Sequence, residues 1–403
     1  VDVLVPYSHE IALYDLGKQH PLKPERFTLA VELMEAYGIL SREPQEPAED
    51  SPPVAASDAG GPAVARVVEP DRITRDDLEL VHDPEYVDTV MRASSDPSHF
   101  VPQRGLGPGD TPAVAGIHDA SLLVCGATAR AVRSVLEGEA LRTFSVAGGL
   151  HHAHRDRAAG FCVYNDPAVA ISIARRAWSD LKIMYVDIDA HHGDGVEEAF
   201  WNDPHVLTVS VHESGRYLFP GTGRVEDTGG PDAPGSALNV PLPPYADDAC
   251  YGLVMREVVE HAARTFGPHI IVAQCGADAH RDDPLTHLGL TLEGYRSLAR
   301  SLVGLSAEVC EGRLACMGGG GYGTYSVVPR AWTILLSELL ETELPQELPE
   351  SWREASRRAS GSRAPETLTG ERRWSPPVAG DMLLEETRNV VRRLRHESPL
   401  FAD

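Results

Sequence analysis

Five short apolar runs, Thr143–Ala147, Ile183–Ile188, Val206–Val211, Ile270–Cys275 and Leu314–Met317, recur along the chain, several with helical stretches between them. Runs of this length bounded by turn residues suit strands buried on both faces, and their alternation with helices predicts an α/β fold with a central, mainly parallel β-sheet flanked by helices. Ligands of such sheets sit beyond the carboxyl ends of the strands. The polar clusters described below each follow one of these runs, which places a site there.

At 403 residues the chain exceeds the usual size of one hydrophobic core, but α/β enzymes of this length often form a single domain. We expect one domain over residues 1–345. Val1–Val5 reads as a strand and Phe27–Leu40 has apolar positions at helical spacing. Residues 41–70 mix Pro, Ala, Asp, Glu and Gly without period and read as a surface loop insertion. A second loop runs from Ser94 to Asp110, followed by a helix of small residues over about Ala120–Leu136. Residues 346–403 form a Pro-, Glu- and Arg-rich extension in which only Met382–Arg395 regains helical spacing, and they read as a surface appendage, with an interaction helix as the alternative.

The formal net charge of −24 argues against nucleic-acid binding, which needs clustered Lys and Arg. Cys125, Cys162, Cys250, Cys275, Cys310 and Cys316 show no paired short spacing, so free thiols of a reducing compartment are expected rather than a disulfide framework or a Cys-based zinc site. Neither a signal-peptide core near the start nor a run of 18 apolar residues occurs. A cytoplasmic protein without a membrane span is the expectation.

The chemistry concentrates in four segments. In IMYVDIDAHHGDG, Ile183–Gly195, strand alternation puts Asp187 and Asp189 on one face, so Asp189 and His191 can reach a common ion. The competing reading is an Asp-x-Asp whose carboxylates cap backbone N–H groups. In AGGLHHAHRDRAAGFCVYND the adjacent His151 and His152 suit acid–base work near neutral pH, and Asp187 and Asp194 can fix their tautomers. In VAQCGADAH, Asp278 follows a strand and a Gly turn, as a third metal ligand from another strand would, or as a helix cap would. In CMGGGGYGTY four glycines let backbone approach a ligand and deliver Tyr322. That stretch lacks the Lys-Ser/Thr ending of a phosphate-binding loop.

Together these segments resemble the histone deacetylase superfamily, with its zinc-dependent arginase/deacetylase fold, over roughly residues 5–340. HPLKPERF and GADAHRDDPLTHLGLT make the chain most similar to the bacterial acetoin-utilisation deacetylases, which are class I-like. The resemblance implies Asp189, His191 and Asp278 as zinc ligands, with Fe²⁺ an accepted substitute in a carboxylate-rich site. It implies His151–Asp187 and His152–Asp194 dyads and Tyr322 as the donor to the oxyanion. Phe161 and Phe219 would be the walls of an acyl-lysine tunnel, with Gly160 and Gly320 alongside. Asp110 would hold the substrate backbone, and Arg26 would line an inner channel for acetate.

Monovalent cations, K⁺ or Na⁺, would bind at Asp187, Asp189, His191, Ser210 and Val211, and at a second site of Phe200, Asp203, Val206 and Ser236. The implied activity is hydrolysis of N-ε-acetyl-lysine in proteins or peptides, on non-histone targets such as acetyl-CoA synthetase. Acetylpolyamine amidohydrolases share the constellation, and an acetylpolyamine substrate is the alternative. Arginase-type ureohydrolases would need further metal ligands where the dyads stand, and a catalytically silent acyl-lysine binder would lack a ligand or Tyr322. Around HPLKPER and ADAHRDDPLTHLG the chain departs from the eukaryotic enzymes, and the sequence gives His280 and His287 no role.

Overall fold

The computed structural model describes residues 2–42, 63–372 and 374–402. Its strands are β1 (Val3–Pro6), β2 (Leu40–Ser41), β3 (Ala65–Val68), β4 (Arg142–Ser145), β5 (Ile183–Asp187), β6 (Val206–Glu213), β7 (Ala237–Leu242), β8 (Ile270–Gln274) and β9 (Leu314–Met317). They form one sheet in the order β2-β3-β1-β4-β9-β8-β5-β6-β7, and every pair is parallel. The two strands latest in the chain, β8 and β9, are inserted between β4 and β5. Four consecutive strands, β4, β9, β8 and β5, therefore end side by side.

Every residue of β4, β5, β6, β8 and β9 is buried, because helices cover the sheet. Glu25–Ala36, Val328–Leu339 and Leu292–Val309 pack in succession, and Ile117–Leu136 packs against Asp166–Ala177. The start of the last of these is set locally: the Asn165 side chain accepts from the N–H of Ala168, and Pro167 occupies the first turn.

Two stretches differ from the expectation. The span 41–70 contains strand at both borders: Leu40 pairs with Ala65 and Ser41 with Arg66, while Arg66, Val67 and Val68 pair with Leu4, Val5 and Pro6, and the strand stops at Val68. These strands are too short to show a period, and residues 43–62 of the insertion lie outside the described residues. β7 was not anticipated either, because Pro241 interrupts its apolar pattern; as the edge strand it tolerates a residue without an N–H.

The extension, expected as a surface appendage, packs onto the core. Trp352, in the helix Glu350–Ser360, is 2% exposed and donates from Nε1 to the carbonyl of Leu29 at 2.8 Å. Leu368, Leu383, Val391 and Leu394 join the same hydrophobic cluster as the sheet, the last three from the helix Gly380–Glu397. Glu371 pairs with His280 and, at 3.1 Å, with Arg281. His280 thus anchors the extension, and His287 ties its own loop to the buried Glu213 at 2.8 Å.

Candidate metal centre

β5 ends at Asp187, and the next residues lead through Asp189 and His191 into the helix Asp194–Phe200. His191 Nδ1 lies 3.1 Å from Asp189 Oδ1 and 2.9 Å from Asp278 Oδ2, the latter arriving from the turn after β8. One ligand atom from each lies within 4.8 Å of the others, and all three side chains are buried. Among the described residues no Lys or Arg pairs with Asp189 or Asp278, so two buried carboxylates converge without a fixed cation. Such a pair is costly unless a cation joins it. Burial opposes charging His191, yet the two aspartates raise its pKa well above the ordinary range. Burial and the charge of Asp189 push Asp278 up to about 6. Two carboxylates and one imidazole fit a divalent metal and leave coordination positions for water and a substrate oxygen.

The two carboxylates are held by neighbours. Asp189 Oδ2 accepts from Gln274 Nε2 and from the N–H of Gly320, each at 2.7 Å, and Asp278 Oδ1 accepts from the N–H of Ala190 at 2.8 Å. A Cβ on Gly320 would sit 2.0 Å from Asp278 Oδ2, and one on Gly276 would sit 2.1 Å from Asp189 Oδ2. Glycine is required at both positions because backbone packs directly onto the carboxylates.

The turn after β4 brings in His151 and His152. His151 Nδ1 is 2.7 Å from Asp187 Oδ2, His152 Nδ1 is 2.7 Å from Asp194 Oδ1, and the two Nε2 atoms are 3.0 Å apart. Tyr185 donates to Asp187 as well, at 2.8 Å. Burial opposes the charge on His151, but Asp187 and Asp189 raise it to about 9. Burial and the adjacent His151 lower His152 to about 4. The pair thus combines a charged ring with a neutral one.

Tyr322 stands beyond β9, its N–H donating to Asp283 Oδ2 at 2.8 Å. Burial together with Asp278 and Asp189 raises the phenol well above its usual range, so it is a protonated donor. Its ring meets Phe161 edge-on at 5.7 Å, while the Phe219 ring, about half exposed, meets His152 at 5.0 Å and His191 at 6.4 Å. Asp110 Oδ2 accepts from the N–H of Gly160 at 2.7 Å. A Cβ on Gly160, where φ is +52°, would collide with the His152 ring. Phe161 itself has φ of +69°, held by Tyr14 donating to its carbonyl and Thr111 accepting from its N–H. Arg26 is buried, donates to the Gly321 carbonyl at 3.1 Å and lies over the Phe27 ring. A narrow cavity runs between Arg26, His151, His152, Asp189, His191 and Tyr322, with Gly160 and Gly320 also in its wall.

The residues expected to bind monovalent cations fall in two places. Asp187, the last residue of β5, pairs in register with Ser210 in the middle of β6, next to Val211 and close in the chain to Asp189 and His191. Phe200, Asp203, Val206 and Ser236 lie near the opposite ends of β6 and β7. There Asp203 pairs with Arg175 at 3.3 Å, and the buried Ser236 Oγ has no hydrogen-bond partner among the described residues.

Sequence reasoning did not find Gln274, Asp283, Thr111 or His154. Gln274 and Asp283 hold Asp189 and Tyr322; Thr111 supports Phe161; His154 binds Asp194. Their only signal was position, one to five residues from a singled-out residue, and polar residues near strand ends are too common for that to select them.

The chain matches the model of the histone deacetylase domain over residues 20–339. It is 36% identical over 357 residues to the acetoin utilization protein AcuC of Bacillus subtilis, covering 87% of this chain and 86% of that protein. The corresponding proteins of Staphylococcus aureus strain MSSA476 and of Staphylococcus xylosus are 32% and 31% identical, over 87% and 86% of this chain and 86% of each relative. Among solved structures, that of a histone deacetylase homologue from Aquifex aeolicus superposes with a TM-score of 0.79 at 26% identity, covering 98% of this chain and all of that one.

Proposed function

The chain belongs to the histone deacetylase family, and from that premise we propose that this amide hydrolase is a zinc-dependent lysine deacetylase acting on acetylated proteins. The observation that carries the reading is the convergence of Asp189, His191 and Asp278 beside the His151–His152 pair, with Tyr322 on the wall of the same cavity. Zn²⁺, or Fe²⁺, held by those three residues would supply Lewis-acid polarisation of the amide carbonyl and a lowered pKa for the attacking water.

The chain's own groups do the rest. His152, with its Nδ1 proton fixed on Asp194, takes the proton of the attacking water. The His151–His152 pair returns a proton to the leaving amine nitrogen, and the Asp187 carboxylate fixes the Nδ1 proton of His151. Tyr322 donates its hydroxyl proton to the developing oxyanion, so Tyr322→Phe should lower kcat by about 10²–10³ with metal retained. Phe161 and Phe219 flank the acyl chain, Asp110 accepts from the substrate backbone, and Arg26 faces the departing acetate. Asp187, Asp189, His191, Ser210 and Val211 would hold one K⁺ or Na⁺, and Phe200, Asp203, Val206 and Ser236 a second.

The names of the relatives, acetoin utilization proteins, favour an acetylated metabolic enzyme as substrate over a histone, in keeping with a cytoplasmic setting. No helix among the described residues is long and apolar enough to cross a membrane. The net charge of −24 also suits a cationic acetylpolyamine. Steady-state hydrolysis of an acetyl-lysine peptide beside N-acetylputrescine and acetylspermidine separates the two, using protein of known metal content and an Asp189→Ala control. Peptide turnover absent from the control supports the proposal. Polyamine turnover alone moves the chain to the amidohydrolase reading, and no turnover by metal-loaded protein overturns both.

A further inference from the structure

His154 is buried at 7% exposure with its two ring nitrogens aimed at different carboxylates. Nε2 lies 3.2 Å from Asp194 Oδ2, and Nδ1 lies 2.5 Å from Glu198 Oε2. Asp194 and Glu198 are four residues apart on the helix Asp194–Phe200, so their side chains project from one face. The other oxygen of Asp194 is the one that holds His152 Nδ1 at 2.7 Å. The result is an alternating chain, His152, Asp194, His154, Glu198, leading from the cavity to a half-exposed carboxylate.

An ionised carboxylate only accepts hydrogen bonds, so both nitrogens of His154 must carry protons for both contacts to exist. The ring is then a cation. Burial opposes that charge, but the hydrogen bonds to Asp194 and Glu198 prevail and raise its pKa to about 9. The other charged groups around it have partners of their own: Arg155 pairs with Asp83, and Arg157 with Asp156. His82, whose Nδ1 donates to the His154 carbonyl, is neutral because its Nε2 accepts from the N–H of Asn165. On the same helix Glu197 faces His192 instead.

We propose that His154 is a fixed cation that positions Asp194, gripping one carboxylate oxygen so that the other stays on His152 in the hydrogen-bonding direction the reaction needs. The assignment rests on reading His152 as the proton acceptor. Without His154 one oxygen of a buried carboxylate loses its partner and the carboxylate is free to rotate.

The test uses full-length metal-loaded protein with His154→Ala, His154→Gln and His154→Lys, assayed on an acetyl-lysine peptide, together with nitrogen NMR of the histidine side chains in the parent protein. Outer partners of catalytic and ligating groups typically contribute about 10–100-fold. The expected result is such a loss of kcat in His154→Ala at little changed KM, recovery in His154→Lys, whose ammonium can donate to Asp194, and only partial recovery in His154→Gln. The NMR spectrum should show both nitrogens of His154 protonated at neutral pH. Equal loss in the Ala and Lys variants at unchanged melting temperature, full recovery by Gln, or unchanged kcat in His154→Ala would overturn the proposal. If the parent protein hydrolyses no acetyl substrate, the functional reading has failed, and the spectrum decides the charge alone: a singly protonated His154 sinks the assignment independently of any activity.

Discussion

His151 and His152 face each other through their Nε2 atoms at 3.0 Å, while each Nδ1 rests 2.7 Å from its own aspartate. With a proton on each Nδ1, the two facing Nε2 atoms can share one further proton, so the rings act as a unit in taking up and returning it. His151 is the better host, since burial is outweighed there by Asp187 and Asp189, whereas burial and His151 itself keep His152 neutral. Removing either ring breaks a unit. His152→Ala should lower kcat by about 10²–10⁴ with KM little changed, and His151→Ala should lower kcat too. Steady-state kinetics on metal-loaded variants check this, and a His152→Ala enzyme of normal kcat would remove the assigned base.

Gly320 stands where its N–H donates to Asp189 and a Cβ would meet Asp278 Oδ2 at 2.0 Å. Both carboxylates of the candidate metal centre depend on that one backbone position. Gly320→Ala should therefore abolish tight metal binding while the sheet still folds. Elemental analysis after dialysis, paired with far-ultraviolet circular dichroism, reads the two effects separately; a variant that keeps its metal would contradict the geometry.

His82 carries a pH dependence that is independent of the metal. It is almost wholly buried, its Nδ1 donates to the His154 carbonyl and its Nε2 accepts from Asn165, so only the neutral ring fits. Burial lowers its pKa from 6.5 to about 4. The unfolded chain binds more protons than the folded one between those values, so this contribution is complete above pH 6.5 and is lost as pH falls towards 4. The full amount is roughly 3 kcal/mol. Chemical denaturation at a series of pH values should show stability falling on acidification through this window, with a shallower slope in His82→Gln.

Trp352 should matter to stability although it lies beyond residues 20–339, the stretch that matches the histone deacetylase domain. Its indole is 2% exposed and donates to Leu29. Trp352→Ala should cost about 3–5 kcal/mol, and truncation near residue 345 should leave the helix Glu25–Ala36 uncovered and the protein prone to aggregate. A truncated chain with unchanged melting temperature would show that the extension is dispensable.

Much of the site was legible because its chemistry clusters locally. Asp187, Asp189, His191 and Asp194 fall within eight residues of one strand end, and His151 and His152 are adjacent. β5, β8 and β9 were readable from apolar runs, since strands buried on both faces leave an unbroken signal. The weak elements were the short or interrupted ones: β2 and β3 at the borders of the insertion, and β7 with its proline. Trp352 and Glu371 read as parts of a polar tail because single buried residues in a charged segment create no period.

The sequence alone determined the class of fold and the kind of chemistry, through apolar runs that must be buried and acid–base groups concentrated at their ends. It did not determine who meets whom. Asp278 reaches Asp189 and His191 because β8 is inserted next to β5, and Tyr322 reaches the same cavity because β9 lies between β8 and β4. Such adjacency is decided by pairing strands far apart in the chain, and no local pattern encodes it. The same holds for the His154 ion pairs and the collisions that make Gly276 and Gly320 obligatory. Those arise only when separate segments pack to contact distance.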